Sequence, residues 1–307
     1  MSSKARVRNV LHDLYKKIMK MKDDIPLDGH IDLANLRNVE LIIGFDFEHV
    51  EKKSSQMCPP FHFAPMKPDQ MEKYRREGRH QDGFKNIDQF SGTWDLDLNN
   101  IPSVMPMSPF ARCQQISYLI SAHATTQARS DRKLRVLDTL HYENFEMGYY
   151  NNRSFWRVMD VMEPQPEPKT GKIYPHLMLH LLGIKVARED SILFSELSAL
   201  VCAMRARANQ RKVDSEDELM QLEETVGEGL EDYPFLFPDE EEFPVLLISC
   251  VLPQHARILA ASMYQRTLVI RQSKLYSFEY RDDAPVDLFT RFFLSRPKQT
   301  VCPAVTG

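Results

Sequence analysis

The chain has 307 residues, 43% apolar and 27% charged, with a formal net charge of −4. Those values are ordinary for a soluble globular protein of one large or two medium domains. They leave no global field that would draw nucleic acid or anionic lipid.

The first predicted element is an amphipathic helix over residues 4–22. Val7, Val10, Leu11, Leu14 and Ile18 fall on one stripe, widened by Tyr15 and Met19. Seven basic residues oppose Asp13 in this stretch. A membrane-surface or nucleic-acid contact would use that charge, but packing of the stripe on a core is the preferred reading. Leu41 to Phe47 reads as a buried strand. Residues 51–108 lack periodicity and carry CPP, APMKP and IPSVMPMSP, an irregular Pro-rich arm. Phe61, Phe63, Phe84, Phe90 and Trp94 predict that it lies against the core.

Residues 109–129 read as a helix with Ile116, Leu119, Ile120 and His123 on related faces. Ser130 and Asp131 are placed to cap a second short helix through Leu140. The aromatic run 141–156 fits a strand pair turning at Tyr150-Asn151-Asn152, and 164–172 fits an exposed loop. Tyr174 to Val186 predicts a central strand and Leu193 to Ala208 a helix. Between 213 and 242 there are 13 acidic residues and no basic ones, which predicts a solvated insertion. Phe243 to Val251 is nearly unbroken apolar sequence, as in a strand covered on both faces. His255–Tyr264 and Thr267–Ile270 are separated by two residues, a hairpin spacing without Gly or Asn. Pro285 then opens a closing helix. The whole reads as α/β (mixed α+β): a central mixed sheet flanked by helices. Residues 1–108 supply a helix, a strand and the arm, and 109–307 form a core with the acidic insertion.

Glycine is scarce, 11 against 19 prolines, and no GxGxxG, GxxxxGK[ST] or GxSxG is present. Nucleotide binding through a Gly loop and a hydrolase nucleophile elbow therefore have no support. The five cysteines are odd in number and form no CxxC, so reduced thiols are expected rather than a disulfide framework or a Cys-based zinc site. No apolar run approaches the roughly 20 residues of a membrane span, and no signal-peptide block follows the N-terminal charges. A cytoplasmic or nuclear protein without membrane contact is expected.

Several residues are candidates for chemistry. His176 and His180 share a strand face and would form a metal pair if Glu196 or His255 completed the shell, although two half-buried core histidines fit the same spacing. Arg207 ends the 193–208 helix, where a cation complements the helix dipole. With Arg271 and Lys274 it is also a candidate nucleic-acid contact. Tyr149, Tyr150 and Trp156 offer aromatic lining for a small-molecule pocket.

The order strand 174–186, helix 193–208, strand 243–251, hairpin and closing helix 285–294 resembles the C-terminal half of PD-(D/E)XK nuclease-like proteins, including those of filamentous fungi. The likeness covers about 130 residues and rests on element order and apolar texture. It implies two carboxylates and a lysine around Mg²⁺. Carried over by position, Lys185 is the motif lysine, and Asp160 and Glu196 are the available acids. Gly183 stands where the family places Asp or Glu, and the literal ExK, Glu167-Pro168-Lys169, lies in a Pro-broken loop. The resemblance therefore implies a degenerate, non-catalytic scaffold that uses no cofactor and binds a protein or nucleic acid. A Mg²⁺-dependent phosphodiesterase is the alternative, to be favoured if Asp46, Glu48, Asp160, Lys185 and Glu196 cluster, and a small-molecule enzyme is a weaker one.

The acidic run generates one expectation. Limited proteolysis, followed by mass spectrometry of the first fragments, cuts within 213–242 before it cuts elsewhere; equal protection there contradicts the reading.

Overall fold

The computed structural model describes residues 3–22, 24–53, 57–71, 108–131, 134–136, 147–150, 154–213, 229–280 and 283–298, together with 215, 217 and 218. Its centre is a nine-stranded mixed sheet. The main path runs β2 (Val39–Ile42), β11 (Thr267–Gln272), β10 (His255–Tyr264), β9 (Val245–Leu252), β7 (Leu177–Val186), β6 (Ser154–Pro164) and β4 (Leu134–Val136). β12 (Tyr276–Ser277) pairs with β10, and β5 (Met147–Tyr150) with β6. β1 (His30–Ile31) pairs with β8 (Ile192–Leu193), and β3 (Phe63–Ala64) with β13 (Arg296–Pro297). Helices lie on both faces: α1 (Ser3–Met21) and α4 (Phe194–Asn209) on one, α3 (Pro109–Asp131) and α5 (Val286–Phe293) on the other, with α2 (Val50–Lys53) a single turn.

The two expected inner strands are neighbours. β7 and β9 run parallel, with Leu177 opposite Val245 and Leu182 opposite Cys250. Antiparallel strands need only a tight turn, but parallel ones need a crossover, and α4 supplies it. The alternation along these strands sorts the core into two layers. Leu247 and Leu179 face α1 and α4, while Leu246, Ile248 and Met178 face α3 and α5. Both faces are covered, which is why the strands read as continuous apolar runs. Val7, Leu11, Leu14 and Ile18 of α1 are buried in the first layer, so the N-terminal stripe packs on the core.

Several expectations are corrected. Ser130 and Asp131 do not cap a second helix: α3 continues through Asp131, and Leu134–Val136 pairs with β6 as a strand. The strand predicted over 41–47 is β2, which starts earlier and ends at Ile42. It is an edge strand pairing on one side with β11, which explains its partial exposure. Asn38 and Gly44 flank it with left-handed backbone, φ 67° and 67°. Phe45 and Phe47 then turn into the aromatic cluster of Phe61 and Phe292. The acidic block is not wholly solvated. Its end returns to the core, with Phe237 buried and Arg211 bridging Phe235. Of the Pro-rich arm, Phe61 and Phe63 are buried in the second layer; Phe84, Phe90 and Trp94 lie outside the described residues.

The β10–β11 hairpin closes with Tyr264 opposite Thr267. Gln265 and Arg266 both take positive φ, 46° and 70°. That is the conformation a two-residue turn needs to match strand twist, and side chains pay for it because Cβ crowds the following carbonyl. Replacing the pair by Asn-Gly therefore raises stability by about 1–2 kcal/mol, read as a higher urea midpoint at unchanged slope. An unchanged or lower midpoint contradicts this.

Candidate functional site

A buried polar assembly on the α3 side is built around His180. Its Nδ1 lies 3.2 Å from Asp160 Oδ2. An ionised carboxylate only accepts, so Nδ1–H donates. Nε2 faces Ser117 Oγ at 3.2 Å and Cys250 Sγ at 3.4 Å. Ser121 Oγ–H donates to the same Asp160 oxygen at 2.5 Å. On α3, Cys113, Ser117 and Ser121 fall four residues apart between Ile116, Ile120 and Ala124, forming a polar line inside an apolar face. On β6, a register shift between Val158 and Asp160 changes which residues face α3. Val158 faces the α4 layer, whereas Asp160 meets His180 on the other side.

Ser117, His180 and Asp160 thus have the nucleophile–base–orienter order of a hydrolytic triad, with Cys250 as a second candidate nucleophile. Burial decides against that chemistry. Ser117, His180, Cys113 and Cys250 are all fully covered by protein. Burial pushes the Cys113 thiol up to about 12, and burial with Cys113 nearby raises that of Cys250 as well. Both are protonated and inert at neutral pH. Burial alone would raise the Asp160 carboxyl, but the hydrogen bond and charge of His180 and the Ser121 hydroxyl outweigh it and hold it below its ordinary range. The assembly is a satisfied polar bridge between α3 and the sheet.

The other face carries a different solution. Glu196, in the first turn of α4, and Arg257 of β10 are both fully buried. Arg257 Nε donates to Glu196 Oε1 at 2.8 Å, and Nη2 donates to Oε2. Arg257 Nη1 also reaches the carbonyls of Arg188 and Ser191, at 2.8 and 3.0 Å. Glu196 Oε2 accepts from the Leu193 backbone N–H at 2.9 Å, closing the helix start. At the opposite end, Arg207 pairs with Glu163 at 2.7 Å and donates to Tyr174 O, its guanidinium lying over Phe237. Arg8 of α1 donates to Ala208 O at 2.8 Å and Phe237 O at 2.6 Å. Burial, and then Arg211 beside it, lowers the Arg8 guanidinium below its ordinary range.

The predicted site residues therefore scatter. Asp160 faces α3, Glu196 is sealed against Arg257 beneath α4, and Lys185 lies outside, donating to Leu27 O at 2.6 Å. An ion pair between Lys185 and Glu196 is not formed. A Cβ at position 183 would point toward the Ser195 hydroxyl on the α4 side, 3.4 Å from Cys250 O. An acid there would face away from Asp160. His176 does not join His180; its Nε2 donates to His62 O at 3.0 Å, and burial, then His62, lowers its imidazole to about 3. No group of three metal-ligating side chains occurs among the described residues. Arg207 is buried, and so is Arg271, which donates to Pro59 O and lies over Phe45. Trp156 packs edge-on against Phe194 in the core; the side chains of Tyr149 and Tyr150 lie outside the described residues. No disulfide is formed among the four described cysteines, of which Cys58 is exposed.

Of the three candidate nucleic-acid contacts, Lys274 reaches an open surface, whereas Arg207 and Arg271 are buried. Lys274 lines a cleft of about 590 Å³ with Glu48, His49, Tyr276, Asp283 and Arg291 over Pro285 and Leu288. Lys274 pairs with Glu48 at 3.2 Å and lies over the Tyr276 ring. The Tyr276 hydroxyl donates to Glu48 at 3.1 Å. Burial, then Glu48, raises that phenol above its ordinary value, so it remains a donor. Arg291 Nη2 stands 3.6 Å from Glu51, and His49 bonds Asp46 at 3.0 Å. Lys274 and Arg291 thus each have a carboxylate beside them, and the volume lies within the range of about 300–1,000 Å³ typical of ligand sites. No helix of the described residues is long and apolar enough to cross a membrane. No family model, curated protein or solved structure matches the chain.

The sealed ion pair yields a stability test. Glu196→Ala, which strands the Arg257 charge, lowers stability by about 3–5 kcal/mol, whereas Glu196→Met with Arg257→Met recovers most of that loss. Urea unfolding of the two variants checks this; a single variant no weaker than the double one contradicts it.

Proposed function

We propose that the chain is a non-catalytic binding protein on a nuclease-like scaffold. Its partner is a polypeptide segment bearing both signs of charge, seated in the cleft of Glu48, Lys274 and Tyr276. The observation that carries this reading is the dispersal of Asp160, Glu196 and Lys185 over three separate environments. Metal-assisted phosphodiester hydrolysis requires carboxylates that share one cation and a lysine within reach of the attacked phosphate. Here one acid is spent on a histidine, another on an arginine, and the lysine on a backbone carbonyl.

The choice of a polypeptide over nucleic acid follows from where the basic residues point. Arg207 and Arg271 are turned inward, and Lys274 carries Glu48 with it. Phosphate contacts need unopposed cations. Alternating rim charges instead select a partner by matching pattern, contributing specificity more than affinity.

Two measurements test this. Calorimetric titration with Mg²⁺ or Mn²⁺ gives no micromolar binding; a micromolar site weakened by Lys185→Ala or Glu196→Ala overturns the non-catalytic reading. Selection from a random peptide library enriches sequences with both charge signs, and Lys274→Glu lowers their affinity about tenfold, the scale of one close charge pair. Failure to enrich, or enrichment indifferent to Lys274→Glu, removes the cleft as the seat.

A further inference from the structure

The short ribbon of β1 and β8 brings a serine and a histidine together beside the end of β7. His30 is opposite Leu193 and Ile31 opposite Ile192. Ser191 therefore stands diagonally across from His30 on the same face of the ribbon. Its Oγ lies 2.7 Å from His30 Nδ1. The other ring nitrogen, Nε2, lies 3.1 Å from Val186 O. A carbonyl only accepts, so Nε2–H donates. In the neutral ring Nδ1 then carries no proton, and the Ser191 hydroxyl is the donor of the short bond. The Val186 carbonyl thus fixes the tautomer, the task a carboxylate performs in a hydrolytic triad.

Both partners are held by neighbours. The His30 N–H donates to Asp28 Oδ1 at 3.2 Å, and Arg257 Nη1 donates to Ser191 O at 3.0 Å. Ser117 is sealed in the core, whereas Ser191 is partly exposed. Two exposed apolar side chains border the pair. Val186 is tied to the His30 ring through its carbonyl, and Leu27 is held at the same margin by Lys185, which donates to its carbonyl.

We propose that Ser191 is a nucleophilic acceptor of aliphatic acyl groups from esters, with His30 as its proton acceptor. As Oγ attacks the carbonyl carbon, its proton passes to His30 Nδ1 and from there to the departing alkoxide oxygen. The Oγ–C bond forms, the C–O bond to the alcohol breaks, and the chain is left carrying one ester. That is a modification of the chain rather than a turnover, and it is independent of the reading of the cleft.

The electrostatics keep the base ready. Burial lowers the His30 imidazole below its ordinary 6.5. Arg188 after β7 and Arg257 of β10 act in the same direction, while the Val186 carbonyl and Asp28 oppose them. The ring is therefore unprotonated at neutral pH, and its capacity to take the serine proton is lost as pH falls.

The test incubates the full chain with p-nitrophenyl butyrate, follows nitrophenolate release and locates the butyryl group by peptide mass spectrometry. A single equivalent is released, and the group resides on Ser191. Ser191→Ala abolishes this labelling. His30→Asn still accepts a hydrogen bond from the hydroxyl but takes up no proton, and slows acylation about a hundredfold. In the wild type the rate rises about tenfold per pH unit in acid and levels off below pH 6.5, a profile that a merely structural histidine does not give. The proposal is overturned by butyryl groups on lysines alone, by release continuing beyond one equivalent, by a wild-type rate in His30→Asn, or by a rate still climbing as steeply above pH 6.5.

Discussion

The bidentate contact between Glu196 and Arg257 is the constraint around which the rest is arranged. Two opposite charges removed from water cost several kcal/mol each, and their attraction offsets this only in exact register with every remaining donor satisfied. Here the register spans three parts of the chain: the start of α4, the middle of β10 and the carbonyls of Arg188 and Ser191. Because α4 is the crossover from β7 to β9, fixing its first turn fixes how those parallel strands meet. Its other end is held by cations on carbonyls, Arg8 on Ala208 and Phe237, and Arg207 on Tyr174. An acid at the start and bases at the end follow the helix dipole. A buried helix with most of its surface apolar could slide along its axis; charges at both termini remove that freedom.

The two sides of the sheet spend polar groups differently. On the α4 side they are ionic and structural. On the α3 side they form a nearly neutral chain of hydroxyls, thiols, one imidazole and one carboxylate. The second arrangement has the geometry associated with acyl transfer and lacks access for a substrate. Catalysis needs a reacting atom that solvent or ligand can reach, so the distinction between an enzyme and a scaffold rests on burial more than on interatomic distance. Among the described residues, the mixed-charge cleft at the end of β12 and α5 is open to solvent.

The architecture was legible in the sequence because it is written in apolar periodicity. The continuous runs of β7 and β9, the stripe of α1 and the two-residue spacing of the hairpin each have one geometrical solution. The site was much less legible. Asp160 and His180 were both candidates, but for different chemistries, and nothing in the local pattern reveals the irregularity after Val158 that turns Asp160 onto the histidine's side. The line Cys113, Ser117, Ser121 was not drawn from the sequence, because small polar residues on a helix acquire a meaning only when the strand they face is known, and that needs the register of β7. Arg257 lay inside an apolar strand, where a lone cation signals a buried acid, and Glu196 was instead matched to Lys185. The expected second helix near 131–140 failed because cap residues at 130–131 were taken as a beginning when the helix was still under way.

The margin of the sheet at β2 has a consequence for behaviour at high concentration. This strand offers only four residues, and the left-handed positions of Asn38 and Gly44 bend the chain away at both ends. A foreign segment laid along it would find a ladder too brief to repay the ordering of its own backbone. The same brevity that makes β2 a weak contributor to cohesion thus guards this border against edge-to-edge stacking and fibril growth.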